Sequence, residues 1–80
     1  MDYERLRNLT ARELAAALAR DGFVLSRQNG SHRLYKNADG RRVTLSFHKS
    51  SATFPLGTLR KMIKAEANWG EDDLVRLGLL

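Results

Sequence analysis

Gly30-Ser31-His32 sets a single imidazole after an Asn29-Gly30 turn and at the start of an apolar strand. Histidine is the side chain whose unperturbed pKa, about 6.5, lets it both take and give a proton near neutral pH. Cationic residues crowd the same stretch of chain, among them Arg27, Arg33, Arg42 and Lys49. An acid/base group beside phosphate-binding cations is a set that can cleave RNA, because RNA carries its own nucleophile in the 2′-hydroxyl. A histidine here also suits a structural place at the rim of a core, since alternation sets His32 in phase with Leu34. Both readings stand at this point.

The second histidine, His48, closes the third expected strand. If Lys36 pairs with Arg41 across the second turn, antiparallel counting sets His48 opposite Asn29. That places it at the His32 end of the sheet but on the opposite face. His48 is then a supporting or RNA-contacting residue, or a structural one at a loop edge. Arg33 and Arg42 share the parity opposite an apolar stripe of Leu34, Val43, Leu45 and Phe47, with Tyr35 between them. This predicts an open basic sheet face on which Tyr35 can stack a base. The plain alternative is a solvated face. Two histidines sixteen residues apart, with no cysteine and no acidic cluster beside them, lack a metal-ligand set. No metal and no cofactor are expected.

These residues must be positioned by a small domain. Eighty residues make a single unit with a thin core, and the absence of cysteine excludes a disulfide framework and thiolate metal sites. No run of apolar residues is long enough to span a membrane, and Met1 to Glu4 does not open like a signal peptide. The expected address is the cytoplasm. The net charge is +5, and between Arg20 and Lys64 the only acidic residues are Asp21 and Asp39. A basic centre of this kind fits a polyanionic partner, whether nucleic acid or an acidic protein surface.

Thr10 to Glu13 reads as a capping box, with Leu9 and Leu14 as its hydrophobic staple. Leu14, Ala17 and Leu18 continue one apolar stripe of a helix that Gly22 ends. Three strands follow, over Phe23–Gln28, Ser31–Lys36 and Arg41–His48, with turns at Asn29-Gly30 and Asn37–Gly40. After a polar loop from Lys49 to Pro55, Leu59, Met62, Ile63 and Ala67 mark one face of a second helix starting near Leu56 or Gly57. The order is α+β, αβββα, a two-layer sandwich with both helices on the face carrying Leu34, Val43, Leu45 and Phe47. Residues 9–67 form its core. Residues 68–80 form a C-terminal appendage with a short helix, which docks through Trp69 or meets a partner.

Leu14, Leu18, Gly22-Phe23, Arg27, Gly30-Ser31-His32, Thr44, His48 and Gly57-Thr58-Leu59 with Ile63 together resemble the HicA-type toxins of prokaryotic toxin–antitoxin modules. The resemblance spans residues 9–67. It implies a double-stranded-RNA-binding-domain-like fold and endoribonuclease activity on mRNA. It also implies neutralisation by a HicB-type antitoxin. In the family motif the histidine after Gly-Ser is catalytic, which falls on His32. Ser31, Arg27, Arg33, Tyr35, Arg42, His48 and Lys49 are then the supporting or RNA-binding residues. Two positions depart from the pattern: Arg33 stands where the family often has a second histidine, and Ser46 where it commonly has proline. A non-catalytic RNA-binding or protein-interaction module of the same fold is the competing expectation.

Overall fold

The computed structural model describes residues 2–80; Met1, which entered only the reading of the N-terminus, lies outside the described residues. The chain runs from a 3₁₀ turn at Tyr3–Leu6 into helix α1 (Ala11–Arg20), then strands β1 (Val24–Asn29), β2 (His32–Lys36) and β3 (Arg42–Ser46). Helix α2 (Leu56–Arg60) continues into a wider π-type segment, Lys61–Glu66, and α3 (Glu71–Arg76) ends the fold. The sheet is antiparallel with β2 in the centre. Every helix contributes to one core cluster with Phe23, Val43 and Leu45, and the shortest dimension of 18 Å holds two layers and no third. This one-sided α+β arrangement is the double-stranded-RNA-binding-like fold.

Helix α1 starts where the capping box predicts. Thr10 Oγ1 accepts from the Glu13 amide at 3.2 Å, and Glu13 Oε1 accepts from the Thr10 amide at 3.0 Å. The Thr10 amide and then the Thr10 hydroxyl, both donating to this carboxylate, hold it below its ordinary value. The next two free amides of the helix, on Ala11 and Arg12, donate to Ala52 and Ser50 carbonyls at 2.8 and 3.0 Å. The loop that follows β3 is thus anchored to the α1 N-terminus. Thr10→Ala should cost about 1 kcal/mol in urea unfolding at pH 7, the usual worth of a lost cap. A change below a few tenths would show the box to be idle.

The second hairpin corrects one expectation. Lys36 pairs with Arg42, not Arg41, and Leu34 stands opposite Thr44. The reason is loop length. The Asn37 amide bonds the Arg41 carbonyl at 2.9 Å, leaving a three-residue loop whose last member, Gly40, has φ +99°. Such a loop is a type I turn followed by a left-handed residue. A one-residue change of register moves every side chain of one strand to the other face. Leu34 therefore leaves the apolar stripe, and His32, in phase with it, leaves the rim of the core; both stand on the open face. Arg33 and Tyr35 sit on the core side, opposite Leu45 and Val43. Val43, Leu45 and Phe47 keep the expected face, and Arg42 stays on the open one.

The tail is packed against this core. Trp69, Leu74 and Leu77 are buried, and the Trp69 ring meets Phe23 edge-on at 6.5 Å between centroids. Asp21, at the end of α1, ties the elements together. Its side chain accepts from Arg41 at 2.9 Å, from Trp69 Nε1 at 2.8 Å and from Arg76 at 2.9 Å. Its backbone carbonyl accepts from Asn37 Nδ2 at 2.9 Å. Leu6, in the 3₁₀ turn that sequence periodicity does not reveal, is buried as well.

Candidate nucleic-acid interface and active site

His32 is the first residue of β2, directly after a two-residue loop of Gly30 and Ser31. Gly30 has φ +62° and Ser31 does not have a positive φ, the pattern of a II′ turn, in which glycine comes first. The turn fixes Asn29 opposite His32 on one side, and β3 sets Ser46 opposite it on the other. The imidazole is exposed, and among the described residues no hydrogen bond engages it. Both ring nitrogens are open to a substrate.

A bulge at Ser26 shapes the rest of β1. Leu25 pairs with Tyr35, but Arg27 pairs with Leu34, so Ser26 has no partner. Without that extra residue Phe23 and Arg27 could not point to opposite faces, because odd-numbered neighbours on an unbroken strand share one face. The bulge sends Phe23 into the core and Arg27 to the face of His32. Arg27, Asn29, His32, Leu34 and Thr44 border a shallow depression of about 570 Å³.

The register assigns Val24, Arg27, Asn29, His32, Leu34, Lys36, Arg42, Thr44 and Ser46 to this face. None of them is acidic. Lys36 and Arg42 stand directly opposite each other, a like-charge pair that costs stability in a sheet. Neither has an ionic partner among the described residues, whereas Asp21 and Asp39 are both engaged by Arg41. The face therefore presents uncompensated positive charge, with Arg27 near the imidazole and the Lys36–Arg42 pair four residues along the strands, roughly 13 Å away. Phosphates are the groups that such a surface binds.

The other residues singled out in the sequence fall in different places. Arg33 lies behind the sheet, its guanidinium 3.9 Å from the centre of the Phe47 ring. Its Nη1 donates to the carbonyls of Ser31 and Phe47 at 3.2 and 3.1 Å. It thereby clamps the turn before His32 to the end of β3. Tyr35 packs against the core and is not offered to a base from the open face. The Ser31 carbonyl also accepts from the Phe47 amide at 3.1 Å. His48 sits in an exposed bend two residues past Ser46, so the parity that set it on the far face does not apply. Lys49 is exposed at the start of the loop anchored to α1.

Asn29, Thr44 and Ser46 were not singled out for the site, yet they share its face. The signal for Thr44 and Ser46 is the Asp39-Gly40 pair, whose glycine marks a three-residue loop and hence the register; Asn29 is placed by the Gly30-Ser31 turn. Among the described residues, no group of three His, Asp or Glu side chains could hold a metal ion. No described helix is long and apolar enough to cross a membrane.

No curated protein matches the chain. A scan against family models matches residues 11–66 to the HicA toxin of bacterial toxin–antitoxin systems. That span holds α1, the whole sheet, the His32 turn and the helical segment through Glu66. With this match over most of its length, the chain belongs to the HicA toxin family.

Proposed function

We propose that this toxin is an endoribonuclease that cuts mRNA at its open sheet face in the cytoplasm, with His32 as the proton-transfer group, and so arrests translation and growth. The observation that supports it is an exposed imidazole on a face with cations and no carboxylate. Arg27, Lys36 and Arg42 hold the sugar–phosphate backbone across this face. His32 takes the proton from a 2′-hydroxyl, and the freed oxygen attacks the adjacent phosphorus. The bond from phosphorus to the 5′-oxygen breaks, and that oxygen regains a proton from the imidazolium or from water. A 2′,3′-cyclic phosphate and a 5′-hydroxyl result. Holding the 2′-oxygen in line with the phosphate removes much of the entropic barrier, and Arg27, which borders the His32 depression, offsets charge that develops on the phosphoryl oxygens, while Lys36 and Arg42 hold phosphates further along the strand. Asn29, Thr44 and Ser46 offer polar groups to the ribose. Arg33 and Ser31 support the turn from behind.

RNA with a single 2′-deoxy nucleotide at the cut position should resist cleavage there, while neighbouring positions are cut as before. EDTA should leave the rate unchanged, and the products should carry cyclic phosphate ends. Cleavage at the deoxy position overturns the mechanism. Tight, salt-sensitive RNA binding without any cleavage favours the non-catalytic module instead.

A further inference from the structure

The two edges of the sheet are finished differently. On β3 the Thr44 amide donates to Glu66 Oε1 at 3.3 Å, and the Lys61–Glu66 segment lies against the strand. The β1 edge has no such cover. All six of its residues are exposed, and among the described residues its backbone bonds only to β2. Val24, on the open face, and Leu25, on the helix side, flank this edge at 68% and 48% exposure, two of the three large hydrophobic residues left exposed among those described. A six-residue edge is about 20 Å long, and its free amides and carbonyls are a template for another strand.

Charge selects the occupant. Arg27 lies on this strand, with Lys36 and Arg42 on the same face, and none has an ionic partner among the described residues. A second copy paired through β1 would join two faces of the same positive sign, with an Arg27 from each at the seam, and like charges there are destabilising. The Ser26 bulge further spoils the flat stacking that identical strands need. We propose that β1 receives an extended strand, bearing carboxylates, from the antitoxin that pairs with this toxin. The added strand covers Val24 and Leu25 with apolar side chains and sets carboxylates against Arg27. Because Arg27 and Asn29 border the His32 depression, a partner held along β1 is also held over that face. The inference rests on family membership and not on the RNA-cleaving reading.

The test uses the full chain and the antitoxin encoded beside it. Titration calorimetry should show that Val24→Thr/Leu25→Thr weakens binding about tenfold, as loss of a desolvated apolar contact does. Val24→Glu/Leu25→Glu should weaken it further, by setting carboxylates against an acidic strand. A circular-dichroism spectrum and a thermal melt matching the wild type serve as the check on folding of either free double variant. In the wild-type complex, amide exchange of Val24–Asn29 should slow markedly relative to the free toxin. Unchanged antitoxin affinity in both double variants, or unprotected β1 amides in the complex, overturns the proposal. So does a homodimer that the threonine variant dissolves, or a loss confined to RNA affinity. If the wild-type toxin cuts no RNA, the catalytic proposal fails while the titration and exchange still decide the strand pairing.

Discussion

His32→Ala is expected to lower RNA cleavage about a thousandfold, in the middle of the range for loss of a general acid–base group. The same variant should fold and bind RNA like the wild type. Its side chain is exposed and makes no hydrogen bond among the described residues, so its removal should alter stability by no more than about 0.5 kcal/mol. RNA affinity should survive because Arg27, Lys36 and Arg42 remain, and phosphate contacts supply most of it. Three measurements are needed on one preparation: single-turnover cleavage, RNA affinity at two salt concentrations, and a thermal melt. Full cleavage by the variant would remove His32 from the chemistry. Lost affinity alongside lost cleavage would make it a binding residue only. Arrest of growth on induction should follow cleavage and not binding, so cells should tolerate the alanine variant.

Much of this arrangement was legible in the sequence, and the part that was not depended on one residue of loop length. Local signals served well where the chain settles its own geometry. Thr10 and Glu13 close the capping box, Gly22 stops α1, and Gly30 turns the first hairpin. Leu59, Met62, Ile63 and Ala67 all reach the core, although part of their helix is wound in the wider π form. The face of a strand is different, because it depends on pairing rather than on its own alternation. Counting Lys36 against Arg41 instead of Arg42 exchanged Leu34 with Arg33 and Tyr35. Arg33 and Tyr35 look like surface residues by type. Their places behind the sheet are stabilised by stacking on Phe47, by two backbone carbonyls and by contact with the core. The Ser26 bulge left no mark in composition, yet it decides that Arg27 shares a face with His32. The 3₁₀ turn around Leu6 is too short for periodicity to register.

Asp21→Ala should unfold the protein more easily than any surface change, by about 3 kcal/mol at pH 7, because it removes a partly buried ion pair and strands the hydrogen-bond donors that the carboxylate serves. For a domain of this size that corresponds to roughly 15 °C in melting temperature. The carboxylate is about nine-tenths buried and serves Arg41, Trp69 and Arg76 at once. Its loss leaves the half-buried Arg41 guanidinium with only Asp39 and a backbone carbonyl, and the indole N–H of Trp69 without an acceptor. The effect should depend on pH with a definite sign. Burial pushes the Asp21 carboxyl upward, but hydrogen bonds from Trp69, Arg76 and Arg41, with the charge of Arg41, outweigh it and leave the group below its ordinary value. A carboxyl depressed in the folded state contributes stability that is complete above its unfolded value, near 4. That contribution disappears as pH falls through the folded value. Wild type and variant should therefore differ most near neutrality and converge as the pH drops below about 4. Glu13 and Asp73 are depressed too, so both proteins lose stability in acid, and only the gap between them reports on Asp21. A gap that stays constant from pH 7 to pH 2 would mean that packing, not the charge network, is lost in the variant. The consequence reaches the open face as well. Asp21 holds Arg41 at the end of the three-residue loop, and that loop sets the register that puts Arg42 opposite Lys36 on the open face. In the folded fraction of the variant, RNA affinity should therefore weaken while His32 itself stays in place, because its own turn at Gly30 and Ser31 is independent of Asp21.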